Sequence, residues 1–260
     1  MPSLPALFVS HGSPMLALED GPAHRFLRGY AARLPRPQAI LVASAHWLST
    51  VPMLSTAAEP ATIHDFRGFS PALYAMRYPA PGAPALATAA QRLLAAAGIA
   101  ATMVPDRGLD HGAWVPLSLL YPAADIPVTQ LALQPDAGPA HHLRLGRALR
   151  PLREAGVLII GSGSLTHNLS AAFANPGDAP AAAWVDAFAA WVAERLAAGA
   201  IDDLLAYRRR APFAADNHPT EEHLLPLFVA LGAGSDGGAI ERLHASTTHA
   251  ALAMDAYAFE

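Results

Sequence analysis

The sequence predicts an α/β fold: a single three-layer α/β/α domain over residues 1–260 with a central mixed, mostly parallel sheet. Three observations carry this. Short apolar runs of strand length, at residues 6–10, 40–43, 126–133 and 157–160, alternate with stretches whose apolar residues recur at helical spacing. Several of these runs are apolar or small throughout rather than alternating, the pattern of strands buried on both faces. Three of them lead into a histidine: Leu7-Phe8-Val9-Ser10-His11, Ile40 to His46, and Val157 to Ile160 followed by GSGSLTH ending at His167.

The first strand runs into His11-Gly12-Ser13-Pro14, a turn-rich loop where Gly12 permits close backbone approach. Asp20-Gly21-Pro22 starts a helix whose apolar stripe is Phe26, Leu27, Tyr30 and Leu34; Pro35 and Pro37 end it, and the strand to His46 completes a β-α-β unit with a right-handed crossover. Residues 48–84 are rich in Pro, Gly, Ser and Thr and predict one long lid-like loop. Pro84 opens a helix that Gly98 closes, and residues 99–104 read as a strand. Asp110 or His111 caps a helix burying Trp114, Leu117 and Leu120. A strand at 126–133, a helix ended by Gly156, the strand at 157–160, an Ala-rich helix at 180–198 and a shorter helix at 201–207 follow. Pro219 suits a first helical position, with Glu221 and Glu222 against the helix dipole and a kink expected at Pro226, just after His223. The tail, 240–243 and 252–259, reads as strand.

Composition narrows the chemistry. A net charge of −4 offers no broad basic surface for nucleic acid, and 53% hydrophobic against 15% charged residues excludes disorder as the default. Without cysteine, no thiolate nucleophile or thiolate metal ligand exists, so a metal must be held by nitrogen and oxygen. All 17 basic residues are arginine, which removes Schiff-base lysine chemistry. No charged-then-apolar leader opens the chain, and no apolar run approaches the roughly 20 residues needed to span a bilayer. A cytoplasmic protein without a membrane partner is expected. Whether it forms a homo-oligomer is left open.

The histidines decide the functional reading. Imidazole is a common ligand of zinc and non-haem iron(II), and in open α/β sheets ligands bind beyond the carboxyl ends of the strands, where His11, His46 and His167 are expected. A further ligand lies among His218, Glu221, Glu222 and His223, which cannot all face one way on a helix. The alternatives are a zinc-dependent hydrolase or lyase and a non-catalytic metal-binding protein on the same scaffold. Gly161-Ser162-Gly163 lacks the third glycine of a dinucleotide fingerprint, and no G-x-S-x-G elbow surrounds Ser10 or Ser164.

Seven runs in order, LFVSHGSPM, SAHW, TIHDF, YPAPG, DHGAW, THNL and HPTEEHLLPL, resemble the class III extradiol ring-cleaving dioxygenases, in particular the DOPA-4,5-dioxygenase-type branch of the LigB-like superfamily. The resemblance implies a single catalytic domain that cleaves a catechol-type aromatic diol with O2 to a muconic semialdehyde-type product, using Fe(II), with Zn(II) a possible occupant of the same site. It implies His11, His46 and His223 as metal ligands, although the better-known class III pattern has glutamate as the third. It also implies His167 as the acid-base residue and His111 as a further active-site histidine. His64, Phe66 and Tyr78, in the 48–84 loop, are candidate contacts to the substrate ring.

Overall fold

The computed structural model describes residues 3–260 and contains an eight-stranded sheet with helices on both faces. The strands are β1 (Ala6–Ser10), β2 (Ala39–Leu48), β3 (Met53–Ser55), β4 (Thr102–Val104), β5 (Val128–Leu133), β6 (Val157–Gly163) and β7 (Ile240–His244). Two short strands, β8 (Thr247–Thr248) and β9 (Leu252–Ala253), pair apart from the sheet, and β10 (Ala256–Phe259) rejoins it. The sheet order is β4-β3-β5-β2-β6-β1-β10-β7. Its centre, β5-β2-β6-β1, is parallel; β10 runs antiparallel to β1 and β7, and β3 antiparallel to β5.

The apolar runs become central strands because both sheet faces are covered. Successive side chains point to opposite faces: Leu7, Val9, Ile40, Val42, Leu158 and Ile160 pack under the helices Pro22–Tyr30 and His111–Leu120. Phe8, Leu41, Ala43 and Ile159 pack under Gly138–Leu149, Ala183–Ala197 and Leu225–Ala233. The parallel centre brings the carboxyl ends of β1, β2 and β6 to one edge.

Four expectations need correction. β2 does not stop before His46: its pairing with β6 ends at Ser44, but a bulged register carries it along β5 to Leu48 opposite Leu133. The apolar run breaks earlier because Ser44 and His46 are polar: Ser44 Oγ bonds the buried Asp110, and His46 lines the cavity. Residues 48–84 are not one loop; β3 and the helix Pro71–Ala75 interrupt them. No helix starts at Pro219. His223 lies in a turn, the helix begins at Leu225, and Pro226 occupies its first turn, where the missing N–H costs nothing and no kink results. The tail is broken, since β9 and β10 belong to different sheets.

Candidate metal centre

Three chain segments deliver the histidines. His11 follows β1 directly, and its backbone N–H bonds Gly163 O at 2.9 Å. His46 rides the bulged end of β2, and His223 sits in the turn before the helix Leu225–Ala233. That turn packs against β6 because residue 163 is glycine: a Cβ there would collide with the His223 carbonyl. Gly112 plays the same part for the helix His111–Leu120, since a side chain would strike Ser44 Oγ and crowd His46.

The imidazoles converge through Nε2. His46 Nε2 lies 2.9 Å from His11 Nε2 and 3.3 Å from His223 Nε2. Nitrogens sharing one ion at about 2.1 Å, at angles near 90–110°, lie about 3 Å apart, so the spacing fits a single metal. The Nδ1 side of each ring faces an acceptor. His11 Nδ1 donates to Ser162 Oγ at 3.0 Å, and the Ser162 hydroxyl is itself spent on Gly112 O. His223 Nδ1 donates to Glu222 Oε1 at 2.9 Å, and His46 Nδ1 faces Asp65 Oδ2 at 3.6 Å. A proton held on Nδ1 leaves the Nε2 lone pair free, as a ligating imidazole requires.

Burial keeps these rings neutral. It is the main cause that pulls His46 down to about 3 and His167 to about 4, while His11 and His223 lie well below the ordinary histidine value, lowered further by the other histidines around them. Asp65 behaves in the opposite way. Burial alone would raise it, but hydrogen bonds from the His111 ring and backbone, together with nearby His46, outweigh that and hold it down to about 2. Its Oδ1 accepts from His111 N at 2.9 Å and from His111 Nδ1 at 3.0 Å.

A buried network sets His111 against His46, ring centroids 3.8 Å apart. Asp110, wholly buried, caps the helix at Ala113 N and accepts from Ser44 Oγ, Arg107 and Gln130. Ser44 Oγ in turn takes His46 N, and Arg107 donates to His46 O. The end of β2 and the helix start are thus tied together by one carboxylate that neither lines the cavity nor faces water.

A cavity of about 670 Å³ opens over the cluster. His46, His111, His167 and His223 line it, and His167 stacks flat on His223 with centroids 3.4 Å apart. Of the three expected ring contacts, Phe66 lines the cavity. His64 does not; it lies behind Phe66 with Nε2 at 3.1 Å from Met76 O. Nor does Tyr78, which is buried in the core with its hydroxyl donated to Tyr121 O, because the segment that carries it closes against that layer instead of the cavity. His218 is also buried, its Nε2 on Leu165 O, away from the cavity. Glu221 and Glu222 are not dipole partners: Glu221 accepts from Tyr207 and Glu222 holds His223. Sequence reasoning missed Asp65, Glu222 and Ser162 as supports of the histidines. The first two adjoin His64 and His223, and that adjacency was the only available signal.

The family model for the catalytic LigB subunit of aromatic ring-opening dioxygenase matches residues 5–259. The chain is 43% identical over 256 residues to a 4,5-DOPA dioxygenase extradiol of Beta vulgaris, covering 97% of this chain and 95% of the relative. It is 42% identical over 234 residues to the protein of that name from Escherichia coli K12, with 88% and 85% covered. The crystal structure of an uncharacterized Escherichia coli K12 protein superposes with a TM-score of 0.82 at 34% identity, covering 99% of this chain and 100% of that one. With fold, histidine cluster and relatives in agreement, the chain belongs to the LigB family of aromatic ring-opening dioxygenases and is an extradiol ring-cleaving enzyme.

Proposed function

We propose that the enzyme opens the ring of a catechol-type substrate with O2, beside the two hydroxyls, to a muconic semialdehyde-type product, with His11, His46 and His223 holding Fe(II). The observation that carries this reading is the convergence of three Nε2 atoms whose rings each turn Nδ1 toward an acceptor. When bound, an iron(II) ion with three protein ligands supplies open positions for a chelating diol and for dioxygen. Zn(II) suits the same donors and is a possible occupant without supporting turnover.

The chain's own residues divide the remaining work. His167, neutral at pH 7, takes a substrate hydroxyl proton on a ring nitrogen and returns it as the ring opens. His111 gives Nδ1–H to Asp65, so its Nε2 is left to accept a hydrogen bond from the substrate. Phe66 packs against the aromatic ring and helps exclude water. The test is metal replacement with an oxygen electrode. Iron-loaded enzyme takes up oxygen with catechols and gives a yellow product, whereas zinc-loaded enzyme does neither. Absence of oxygen uptake with every catechol tried on iron-loaded protein overturns the reading.

A further inference from the structure

His167 differs from the other histidines at the cavity. Its ring lies flat on His223, with centroids 3.4 Å apart and planes 8° apart, yet among the described residues neither of its nitrogens has a hydrogen-bond partner. With no acceptor behind the ring, its place is set by the stack and by the backbone that carries it. That backbone is tied in a row to the chain that leads into His223. Ser164 N donates to His223 O at 2.9 Å, His167 N to Asn217 O at 2.8 Å and Asn168 Nδ2 to Asp216 O at 2.7 Å. His218 completes the row with Nε2 donating to Leu165 O at 2.8 Å. It alone bonds from that side through its side chain; the others offer backbone carbonyls.

His218 is wholly buried. A carbonyl only accepts, so the ring proton sits on Nε2, and Nδ1 is left buried without a partner among the described residues, the ring lying close to Phe188 and Tyr207. Burial lowers the ring to about 4, which keeps it neutral at pH 7 in this one tautomer. An apolar side chain would suit these neighbours and strand no nitrogen, but it would give up the bond to Leu165 O. The segment is braced from outside as well: Asn217 Nδ2 donates to Trp184 O and Phe213 O, and Arg208 to Ala214 O and His218 O.

We propose that His218 is a positioning residue for ring opening, which through Leu165 O holds the His167 loop so that the His167 imidazole stays on the His223 ring and within reach of bound substrate. This rests on the reading of His167 as the acid-base group. His218 lines no part of the cavity and touches neither substrate nor metal. The loop keeps other anchors, since Thr166 Oγ1 donates to Ala251 O and accepts from Ala253 N, so losing one bond shifts the loop rather than freeing it. A small shift of an acid-base group costs turnover more than binding.

The test compares His218→Leu, which removes the donor, with His218→Gln, whose amide Nε2 stands the same number of bonds from the backbone. His218→Leu is expected to lower kcat by about tenfold, with KM within about twofold and full metal content, and His218→Gln to recover most of the loss. In a His167→Ala background, His218→Leu should cost less than about twofold more, because the group it positions is gone; a role in the fold alone costs the same in both backgrounds. A second readout needs no turnover. In zinc-loaded protein the His223 ring current displaces the NMR signals of the His167 ring protons; His218→Leu should reduce that displacement and His218→Gln restore it. Additive losses, an unchanged His167 signal in His218→Leu, or a glutamine variant no better than leucine overturns the proposal. If His218→Leu does not fold, His218→Asn, polar but one bond too short to reach Leu165 O, takes its place, and failure of both to fold also overturns it. If His167→Ala leaves kcat unchanged, or no catechol is turned over, the acid-base reading falls and the NMR comparison alone decides whether His218 positions His167.

Discussion

Each imidazole at the centre is specified twice, once by where its backbone arrives and once by what its far nitrogen touches. His46 is the shared neighbour, with Nε2 close to both His11 and His223. His46→Ala is accordingly expected to abolish stoichiometric metal binding by metal analysis. His167→Ala should keep the metal and lower kcat by about 100-fold or more, the usual weight of a general acid-base group; full metal content in the His46 variant would remove that residue from the ligand set. Asp65 supports from behind. Asp65→Asn trades an acceptor-only carboxylate for a group that donates as readily, so the Nδ1 protons of His111 and His46 lose their fixed partner. Losses of about 10- to 100-fold in metal affinity or kcat/KM are expected. Unchanged values for both would show that Asp65 serves only the fold.

At the scale of elements, contact distance decides the site. The turn bearing His223 and the helix Leu225–Ala233 lie directly on β6 because Gly161 and Gly163 present no Cβ to the Pro226 and His223 carbonyls. Gly163→Ala must push this turn outward, and His223 with it. A stability loss of about 2 kcal/mol in denaturant titration is expected, together with weakened metal binding. A variant as stable and as metal-competent as the native enzyme would mean that the packing tolerates the shift. The sequence made the strands and most helices legible, since apolar runs and helical periodicity state burial locally. It misplaced the start of the last long helix because a proline reads equally well as a helix opener at 219 and, at 226, as a kink inside a helix already begun; only the packing on β6 selects the second proline as the one in the first turn.

For the whole molecule, buried neutral histidines set the response to acid. His142 is wholly buried, with Nδ1 on Gly138 O and Nε2 accepting Gln134 N–H, and His218 is buried with Nε2 on Leu165 O; burial is the main cause lowering each to about 4. Between about pH 6.5 and 4 the unfolded chain therefore binds protons that the folded chain refuses, and stability falls as pH falls, by roughly 1.4 kcal/mol per pH unit for each such histidine. Asp255, raised by burial to about 6, opposes this with a single group that favours the fold on acidification. Denaturant midpoints of metal-free protein at pH 7.5, 6 and 5 check the sum. Constant or rising stability toward pH 5 would refute it.

The sequence by itself determined the α/β class, the carboxyl-edge placement of His11 and the absence of any thiolate or lysine chemistry, because hydrophobic period and residue type are local properties. Its family resemblance was also written into seven short runs. Only the tertiary structure decided which polar residues meet. Asp65, Ser162 and Glu222 reach the histidines across 19, 151 and one residue of chain respectively in their contacts with His46, His11 and His223, while Tyr78, equally prominent in a motif, turns into the core. Contacts between side chains distant in sequence depend on sheet order and on the close approach permitted by glycine, and neither is stated by any one segment.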